Sequence, residues 1–257
     1  MKNKNRVAVV TGGSKGIGFG IVKEFISKGI NVLVIARNEE SLANLKSSYG
    51  TEQIETLTGD VSDIDLPNKA LKLVMSKWGR VDILVNNAGG PPADTFLNHD
   101  EDAWMSAFKV SLMSVIRFST TFAPVMKENN WGRILSITST IAKEPSPIMV
   151  LSATMRAGVA AFNKAISIEL APYNITVNAI CPGGVLTDRL VSLVKTKSIA
   201  DNRPYEDVLK ESENSIPIKR FASVEEIAKT ANFLCSEDGS YITGVQLSVD
   251  GGFSKSY

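Results

Sequence analysis

The sequence predicts an α/β fold in which a parallel β-sheet of about seven strands is covered by helices on both faces. Short runs that are apolar throughout alternate with longer runs of helical periodicity. Strands that are apolar throughout are typical of parallel sheets buried on both faces. No repeat, low-complexity tract or linker interrupts this alternation along the 257 residues. We therefore expect one domain that covers residues 1–257.

The first half of the chain contains four strand–helix units. The runs RVAVVT at 6–11 and NVLVIA at 31–36 are rich in β-branched residues, and residues 54–59 and 81–86 follow the same pattern. Each run precedes a segment whose apolar residues recur at helical spacing. The corresponding helices are predicted at 17–28, 39–48, 66–78 and 101–129.

The second half continues the alternation and adds one irregular region. Residues 186–218 are polar and charged, contain Pro204 and Pro217, and are too long for an ordinary connection. The region is either a mobile flap over a site or disordered, and we expect a flap with short helices that selects the substrate. The remaining strands are predicted at 133–139, 176–181 and 244–249, and the remaining helices at 150–170 and 224–235.

The composition excludes several classes of function. A net charge of +1 gives no bulk attraction to nucleic acid or to a membrane surface. No apolar run is long enough to span a bilayer, and the N-terminus has the pattern of a buried strand and not of a secretory signal. Two distant cysteines and one histidine form neither a disulfide framework nor a metal cluster. We expect a cytoplasmic protein without a metal.

A glycine-rich turn follows the first strand. It reads Gly12-Gly13-Ser14-Lys15-Gly16-Ile17-Gly18, with the spacing G-x-x-x-G-x-G. Glycines allow the backbone to approach a pyrophosphate closely, and the next helix directs its N-terminal N–H groups at the anion. A tight turn that binds nothing is the alternative, because a glycine cluster alone is a weak signal.

The end of the second strand indicates which dinucleotide is bound. Enzymes that prefer NAD place a carboxylate there to bind the ribose hydroxyls. This chain has no carboxylate there and has Arg37 instead. Arg37 and Lys15 could flank a 2′-phosphate, so NADP(H) is the predicted cofactor. The alternative is that Arg37 is an ordinary solvated surface charge.

Five separated motifs resemble those of the short-chain dehydrogenase/reductase family, and the resemblance is closest to the 3-oxoacyl carrier-protein reductase type. It covers nearly the whole chain and implies a single Rossmann-type, doubly wound domain that binds NADP(H). The motifs are the turn 12–18, Asp60, the segment Asn86-Asn87-Ala88-Gly89, the segment Pro182-Gly183 with Thr187, and the C-terminal runs 241–244 and 249–252.

The same resemblance implies how the cofactor is held. Asp60 and Val61 would bind the adenine. The other expected cofactor-binding residues line the pyrophosphate turn, the cleft and the nicotinamide end. They are Gly12, Ser14, Lys15, Gly16, Ile17, Gly18, Arg37, Asn87, Ala88, Gly89, Arg156, Pro182, Gly183, Val185 and Thr187.

The chemical end of the site departs from the family. The family uses Asn, Ser, Tyr and Lys, with Tyr and Lys four residues apart on one helix. Of these four, this chain keeps only the serine, as Ser139, while Ser111 replaces the asparagine. Ser152 stands at the tyrosine position and Arg156 at the lysine position. No tyrosine lies between Gly50 and Tyr173, so a shifted alignment cannot restore the phenol.

Three functions remain open. The first is an NADPH-dependent oxidoreductase acting on a ketone, an alcohol or an acyl thioester, with Glu144, Tyr205 or a water between Ser152 and Arg156 replacing the tyrosine. The second is isomerisation or elimination with Glu144 as the base. The third is a catalytically impaired NADP(H)-binding protein. The first is favoured because the cofactor motifs are intact.

The long helix at 101–129 also suggests self-association. It carries more apolar side chains than one sheet face needs, and in the family the corresponding helix packs against a second subunit. We expect a homodimer or a homotetramer. The alternative is that these side chains simply face the sheet. They are Trp104, Phe108, Leu112, Val115 and Phe118.

Overall fold

The computed structural model describes residues 6–49 and 52–256 and contains one sheet of seven parallel strands. The strand order is β3-β2-β1-β4-β5-β6-β7. This confirms the predicted fold class. The strands are β1 (Val7–Thr11), β2 (Asn31–Ala36), β3 (Ile54–Thr58), β4 (Ile83–Asn86), β5 (Gly132–Ile137), β6 (Ile175–Pro182) and β7 (Gln246–Val249).

Helices connect the strands and cover both faces of the sheet. One face packs mainly against the first and last helices, and the other against the third and fifth helices. The helices are α1 (Gly16–Ser27), α2 (Glu39–Tyr49), α3 (Leu66–Trp78), α4 (Glu101–Phe108), α5 (Ser114–Glu128), α6 (Val150–Leu170), α7 (Asp188–Ala200), α8 (Tyr205–Asn214) and α9 (Val224–Cys235).

The predicted long helix is interrupted. Between α4 and α5 the chain forms a π-helical turn over Lys109–Met113. Ser111 is buried within this turn, and Ser114 closes it by donating from its hydroxyl to the Val110 carbonyl. Turns of this kind are frequent at functional sites, because they redirect side chains without ending the helix.

Two strand boundaries differ from the prediction for identifiable reasons. β4 begins at Ile83 and not at 81, because the buried Asp82 carboxylate accepts the Val7 N–H at 2.8 Å in place of a ladder bond. β7 begins at Gln246 and not at 244, because Gly244 has a left-handed backbone with φ of 71°. In both places a side-chain bond or a turn displaces regular pairing.

The region predicted as a flap contains α7 and α8. Lys197 of α7 lies 4.0 Å from the Glu211 carboxylate of α8, and Arg203, in the connection between the two helices, also forms an ion pair with Glu211. An isolated parallel bridge between Val185, just before the region, and Ala222, just after it, brings the two ends of the region together. Among the described residues, no helix is both long and apolar enough to cross a membrane.

The strand order determines where a ligand can bind. β1 pairs with β2 on one side and with β4 on the other, so the chain reverses its direction of winding at β1. In open α/β sheets such a reversal leaves a crevice at the carboxyl ends of the strands, and ligands bind in that crevice.

Candidate active site

The glycine-rich turn after β1 is held rigidly against the end of β4. Asn87 donates from its side-chain amide to the carbonyls of Thr11 and Gly12, at 3.1 Å each. Gly12 has a left-handed backbone with φ of 60°. A Cβ on Gly18 would lie 2.3 Å from the Gly12 carbonyl oxygen, so no larger residue fits there. The turn therefore presents bare backbone at the crevice.

The start of α1 is suited to an anion. The N-cap residue Lys15 makes no capping bond from its side chain, and the first turn contains no acidic residue. The first N–H groups of a helix have no partner within the helix and carry its positive dipole end. Together with the exposed glycine backbone, this arrangement fits a pyrophosphate.

A second set of residues lies at the ends of β2 and β3. The Arg37 side chain is 80% exposed, and its Nη1 lies 3.8 Å from Asp60 Oδ2. Burial raises the pKa of Asp60, but bonds from the Ser62 hydroxyl and N–H and the charge of Arg37 outweigh burial and leave the pKa below its ordinary value. Arg37 is therefore only loosely paired and can turn toward a phosphate.

The residues expected at the nicotinamide end lie next to the glycine-rich turn that follows β1. Pro182 ends β6, and a Cβ on Gly183 would come within 2.8 Å of Asp250 Cβ. Thr187 caps α7 by accepting the Leu190 N–H. A Cβ on Gly16 would lie 3.5 Å from Thr187 Cγ2, so the start of the flap region packs close to the glycine turn.

Ser152 and Arg156 lie one turn apart on α6 and are bonded to each other. Arg156 donates from Nε to Ser152 Oγ at 3.1 Å and from Nη1 to the Ile137 carbonyl at 2.9 Å. Ser152 is buried, with 3% of its surface exposed. The guanidinium therefore lies at the carboxyl end of β5 and forms a hydrogen bond to the serine hydroxyl.

The electrostatics of Arg156 are unusual. Burial lowers the pKa of its guanidinium to about 10, and the nearby charge of Arg189 also lowers it. The group is still protonated at neutral pH. The nearby Cys181 sulfur opposes this change but does not outweigh burial, so the positive charge has lost part of its hydration without an equal gain from an opposite charge.

A small open pocket of about 280 Å³ lies beside this pair. Ser111 contributes a buried hydroxyl that has no hydrogen-bond partner. A buried polar atom without a protein partner is uncommon, and water or a ligand can satisfy such an atom. The lining residues come from four strands and helices and are Asn86, Ala88, Ser111, Val115, Ser136, Ile137, Thr138, Arg156 and Val159.

Ser139 has a local bond of its own. Its hydroxyl oxygen caps a short 3₁₀ turn by accepting the Ile141 N–H at 3.3 Å. Ser139 does not itself line the small pocket, although its neighbour Thr138 does. The structure thus brings Ser111 and Arg156 to one pocket, links Ser152 to Arg156, and places Ser139 one residue from the pocket wall.

Glu144 has a different environment from the one expected of a base. Its carboxylate accepts the backbone N–H groups of Lys255 and Ser256. The Ser256 N–H in particular lowers the pKa of Glu144. Glu144 therefore anchors the C-terminal segment and is a weaker base than a free carboxylate. Tyr205 begins α8 within the flap region.

Sequence reasoning missed Ser136 and Thr138 as pocket residues, and it missed Asn163 behind them. Asn163 is buried, accepts the Ser136 hydroxyl at 3.4 Å, and has a side-chain nitrogen without a partner. Two signals were present. Ser136 and Thr138 are two apart at the end of a strand and so share a face, and Asn163 is seven residues after Arg156 on the same helix.

Comparisons with known proteins agree on one family. A family model described as Enoyl-(Acyl carrier protein) reductase matches residues 12–254. The NADPH-dependent reductase BacG of Bacillus subtilis (strain 168) is 35% identical over 259 residues, which cover 98% of this chain and 98% of BacG. The 3-oxoacyl-[acyl-carrier-protein] reductase FabG of Chlamydia muridarum is 36% identical over 254 residues, covering 97% of this chain and 98% of FabG.

A solved structure extends the likeness to the fold. The crystal structure of an actinorhodin polyketide ketoreductase with NADPH has a TM-score of 0.93 and 31% identity to this chain, and covers 98% of each chain. Together with the family model and the curated relatives, this shows that the chain belongs to the short-chain dehydrogenase/reductase family.

Proposed function

We propose that this protein is an NADPH-dependent reductase that converts a ketone to an alcohol, with Ser152 and Arg156 acting in place of the family's tyrosine and lysine. The observation that carries the proposal is the bond from Arg156 Nε to Ser152 Oγ, beside a pocket and next to a complete nucleotide-binding turn. The relatives named as NADPH-dependent reductase and ketoreductase support the same reaction.

The chain's own residues fit the cofactor. The glycine turn and the start of α1 would hold the pyrophosphate, and Asp60 and Val61 would bind the adenine. Lys15 and Arg37 would bind the 2′-phosphate, while the segment from Pro182 to Thr187 would enclose the nicotinamide end. Bound NADPH supplies the hydride, and the protein has to bind the ketone, orient it and manage the charge that develops on its oxygen.

Ser152 would bind that oxygen. Because Arg156 donates into a lone pair of Ser152 Oγ, the serine's own hydrogen is left to donate to another acceptor. A ketone oxygen in the pocket would be that acceptor. The positive charge next to the serine then stabilises the alkoxide as it forms.

The proton needs a source that solvent can replenish, because Ser152 is buried and its hydroxyl is a far weaker acid than a phenol. We assign it to a water bound between Ser111 and Arg156. The partnerless Ser111 hydroxyl and the pocket that it shares with Arg156 favour this position. Such a water gives a proton to the alkoxide, and the hydroxide that is left takes up a proton from solvent through the open pocket. Ser139 is the remaining candidate donor to the carbonyl.

Two further functions are less well supported. Isomerisation or elimination would need Glu144 as a free base, yet its carboxylate is bonded to the C-terminal backbone. A catalytically impaired protein would bind NADP(H) tightly and reduce no substrate. We also propose a homodimer or homotetramer, supported by Trp104, Phe108 and Leu112, which remain partly exposed, whereas Val115 and Phe118 are buried.

The experiment is a cofactor-oxidation assay with a panel of ketones and 3-oxoacyl thioesters. Ser152→Ala should lower kcat/KM by roughly 10²–10³, as loss of one donor to a developing oxyanion does. Thr154→Ala is the matched control, because Thr154 lies on the exposed side of the same helix turn and bonds only to the Val150 carbonyl. Full activity in Ser152→Ala would refute the proposed role. Tight NADPH binding without turnover on the panel would instead indicate a binding protein.

A further inference from the structure

Two arginines near the pocket have no acidic partner. Most arginines of this chain have a carboxylate oxygen within 4.0 Å. Arg117, Arg156 and Arg189 have none within that distance among the described residues; Arg117 donates to the Ser62 carbonyl, far along the chain from the other two, and Arg156 and Arg189 donate to a hydroxyl and to carbonyl oxygens. The ion-paired arginines are Arg6, Arg37, Arg80, Arg133, Arg203 and Arg220.

The two guanidinium groups converge on one short segment after β4. A Cβ on Gly90 would lie 3.8 Å from Arg156 Nη2, and Arg189 donates from Nη2 to the Pro91 carbonyl at 3.1 Å. Arg189 starts from the flap region and Arg156 from α6. Two positive charges from separate elements are therefore directed at neighbouring residues of the pocket rim.

Asp188, which precedes Arg189 in the chain, forms no ion pair with either arginine, and three other carboxylates are engaged elsewhere. Asp94 accepts from the Thr95 N–H and the Asn98 side chain. Glu144 holds the C-terminal backbone. Asp250 accepts from the N–H groups of Gly252 and Ser254. None of these side chains is left to neutralise the arginine pair.

An anionic ligand would stabilise this arrangement. Like charges repel, and a partly buried guanidinium has lost water that no protein anion replaces. Arg156 uses Nε and one hydrogen of Nη1 for protein bonds, so Nη2 keeps both of its hydrogens for another acceptor. A guanidinium edge matches a carboxylate in geometry as well as in charge.

We propose that the substrate is an oxo acid whose carboxylate is bound by Arg156 and Arg189. The inference rests on the proposed function and names its substrate class. Since the same Arg156 guanidinium holds Ser152, the carboxylate lies only a few bonds from the ketone. A 2-oxo or 3-oxo acid meets this condition. A carrier-bound thioester does not, because its carboxyl carbon is esterified and uncharged.

The test compares each acid with its own ester. The probes are 2-oxo-4-phenylbutanoate and acetoacetate, each beside its ethyl ester, with NADPH as the reductant. We expect the wild-type kcat/KM to be at least about tenfold higher for an acid than for its ester. Arg189→Gln should lower the acid's kcat/KM by about 10- to 100-fold and change the ester's less than about twofold, since a charge-assisted bond is lost only with the acid.

The matched control is Lys195→Gln. It removes one positive charge from an exposed position of α7, the helix that carries Arg189. It should change neither substrate. Arg189→Lys, which keeps the charge, should recover part of the preference for the acid. Two results would overturn the proposal: a wild-type kcat/KM as high for the esters as for the acids, or an equal loss of kcat/KM for acid and ester in Arg189→Gln. Arg189 would then only support the Pro91 segment.

A binding measurement separates this proposal from the proposed function. Calorimetric titration of the two acids and the two esters into the protein with NADP⁺ does not require turnover. If no probe is reduced, the proposed reduction is contradicted, whereas binding of the acids and its loss in Arg189→Gln would still support the anion site. Binding of neither acid, or equal binding of acids and esters, would reject the anion site whatever the activity.

Discussion

Replacing Arg37 should separate the affinity for NADPH from the affinity for NADH. Arg37 follows β2, and its side chain is 80% exposed, with only a 3.8 Å contact to Asp60. Exposed pairs of this kind contribute about 0–1 kcal/mol, so Arg37→Gln leaves the fold intact. A 2′-phosphate, which only NADPH carries, is the ligand group that would lose a charged partner.

The size of the effect follows from that lost bond. A hydrogen bond to a charged group contributes about 1.5–3 kcal/mol. Each 1.4 kcal/mol is tenfold in Kd, so NADPH binding should weaken roughly 10- to 150-fold. Arg37→Asp should weaken it further, because a carboxylate would repel the phosphate. NADH binding should change less than about twofold in Arg37→Gln.

The measurement is a fluorescence titration of each reduced cofactor at low and high salt. The difference between the cofactors should shrink at high salt, since screening reduces interactions between exposed charges. Lys28→Gln is the control, because Lys28 follows the far end of α1, about 18 Å from its start for a helix of 12 residues. Equal weakening of NADPH and NADH in Arg37→Gln would refute the phosphate assignment.

Three further predictions concern the helices α1 and α9. Gly18→Ala should abolish NADPH binding, measured by titration, because the new Cβ would lie 2.3 Å from a backbone oxygen. Gly20→Ala should destabilise the fold by about 1–3 kcal/mol in urea, because its Cβ would lie 2.1 Å from Val224 Cγ1, and Val224→Ala should restore most of the loss. The bond from Arg220 lowers the pKa of Glu226 from 4.5 to about 2. The stability that this bond contributes is therefore present above pH 4.5 and lost as the pH falls toward 2. The Glu226→Gln variant should lack this loss of stability in an acid-unfolding experiment.

The strands and most helices could be predicted because their signals are local. NVLVIA is short and rich in β-branched residues, and the helix at Val150–Leu170 has apolar residues at regular spacing along its length. The π-helical turn at Lys109–Met113 could not be predicted in this way. One extra residue per turn leaves the same apolar composition, and the backbone pattern depends on what the helix packs against.

The site was predictable where its residues are neighbours in sequence. Spacing by four predicted Ser152 and Arg156 on one face of a helix, and the structure has them bonded, while their catalytic roles stay predictions. The hydrogen bonds that Glu144 accepts were not predictable, because the donors lie 111 and 112 residues later in the chain. The convergence of Arg156 and Arg189 likewise depends on how the flap region folds back over β4.

The π-helical turn also sets a strict limit on the length of the segment between α4 and α5. Each residue of an α-helix advances the side chains by about 100° around the axis. Deleting one residue from Lys109–Met113 would rotate α4 relative to α5 by that angle. The shortened helix could then keep Phe118 and Phe122 packed against the sheet, or it could keep Ser111 at the pocket, but it could not do both.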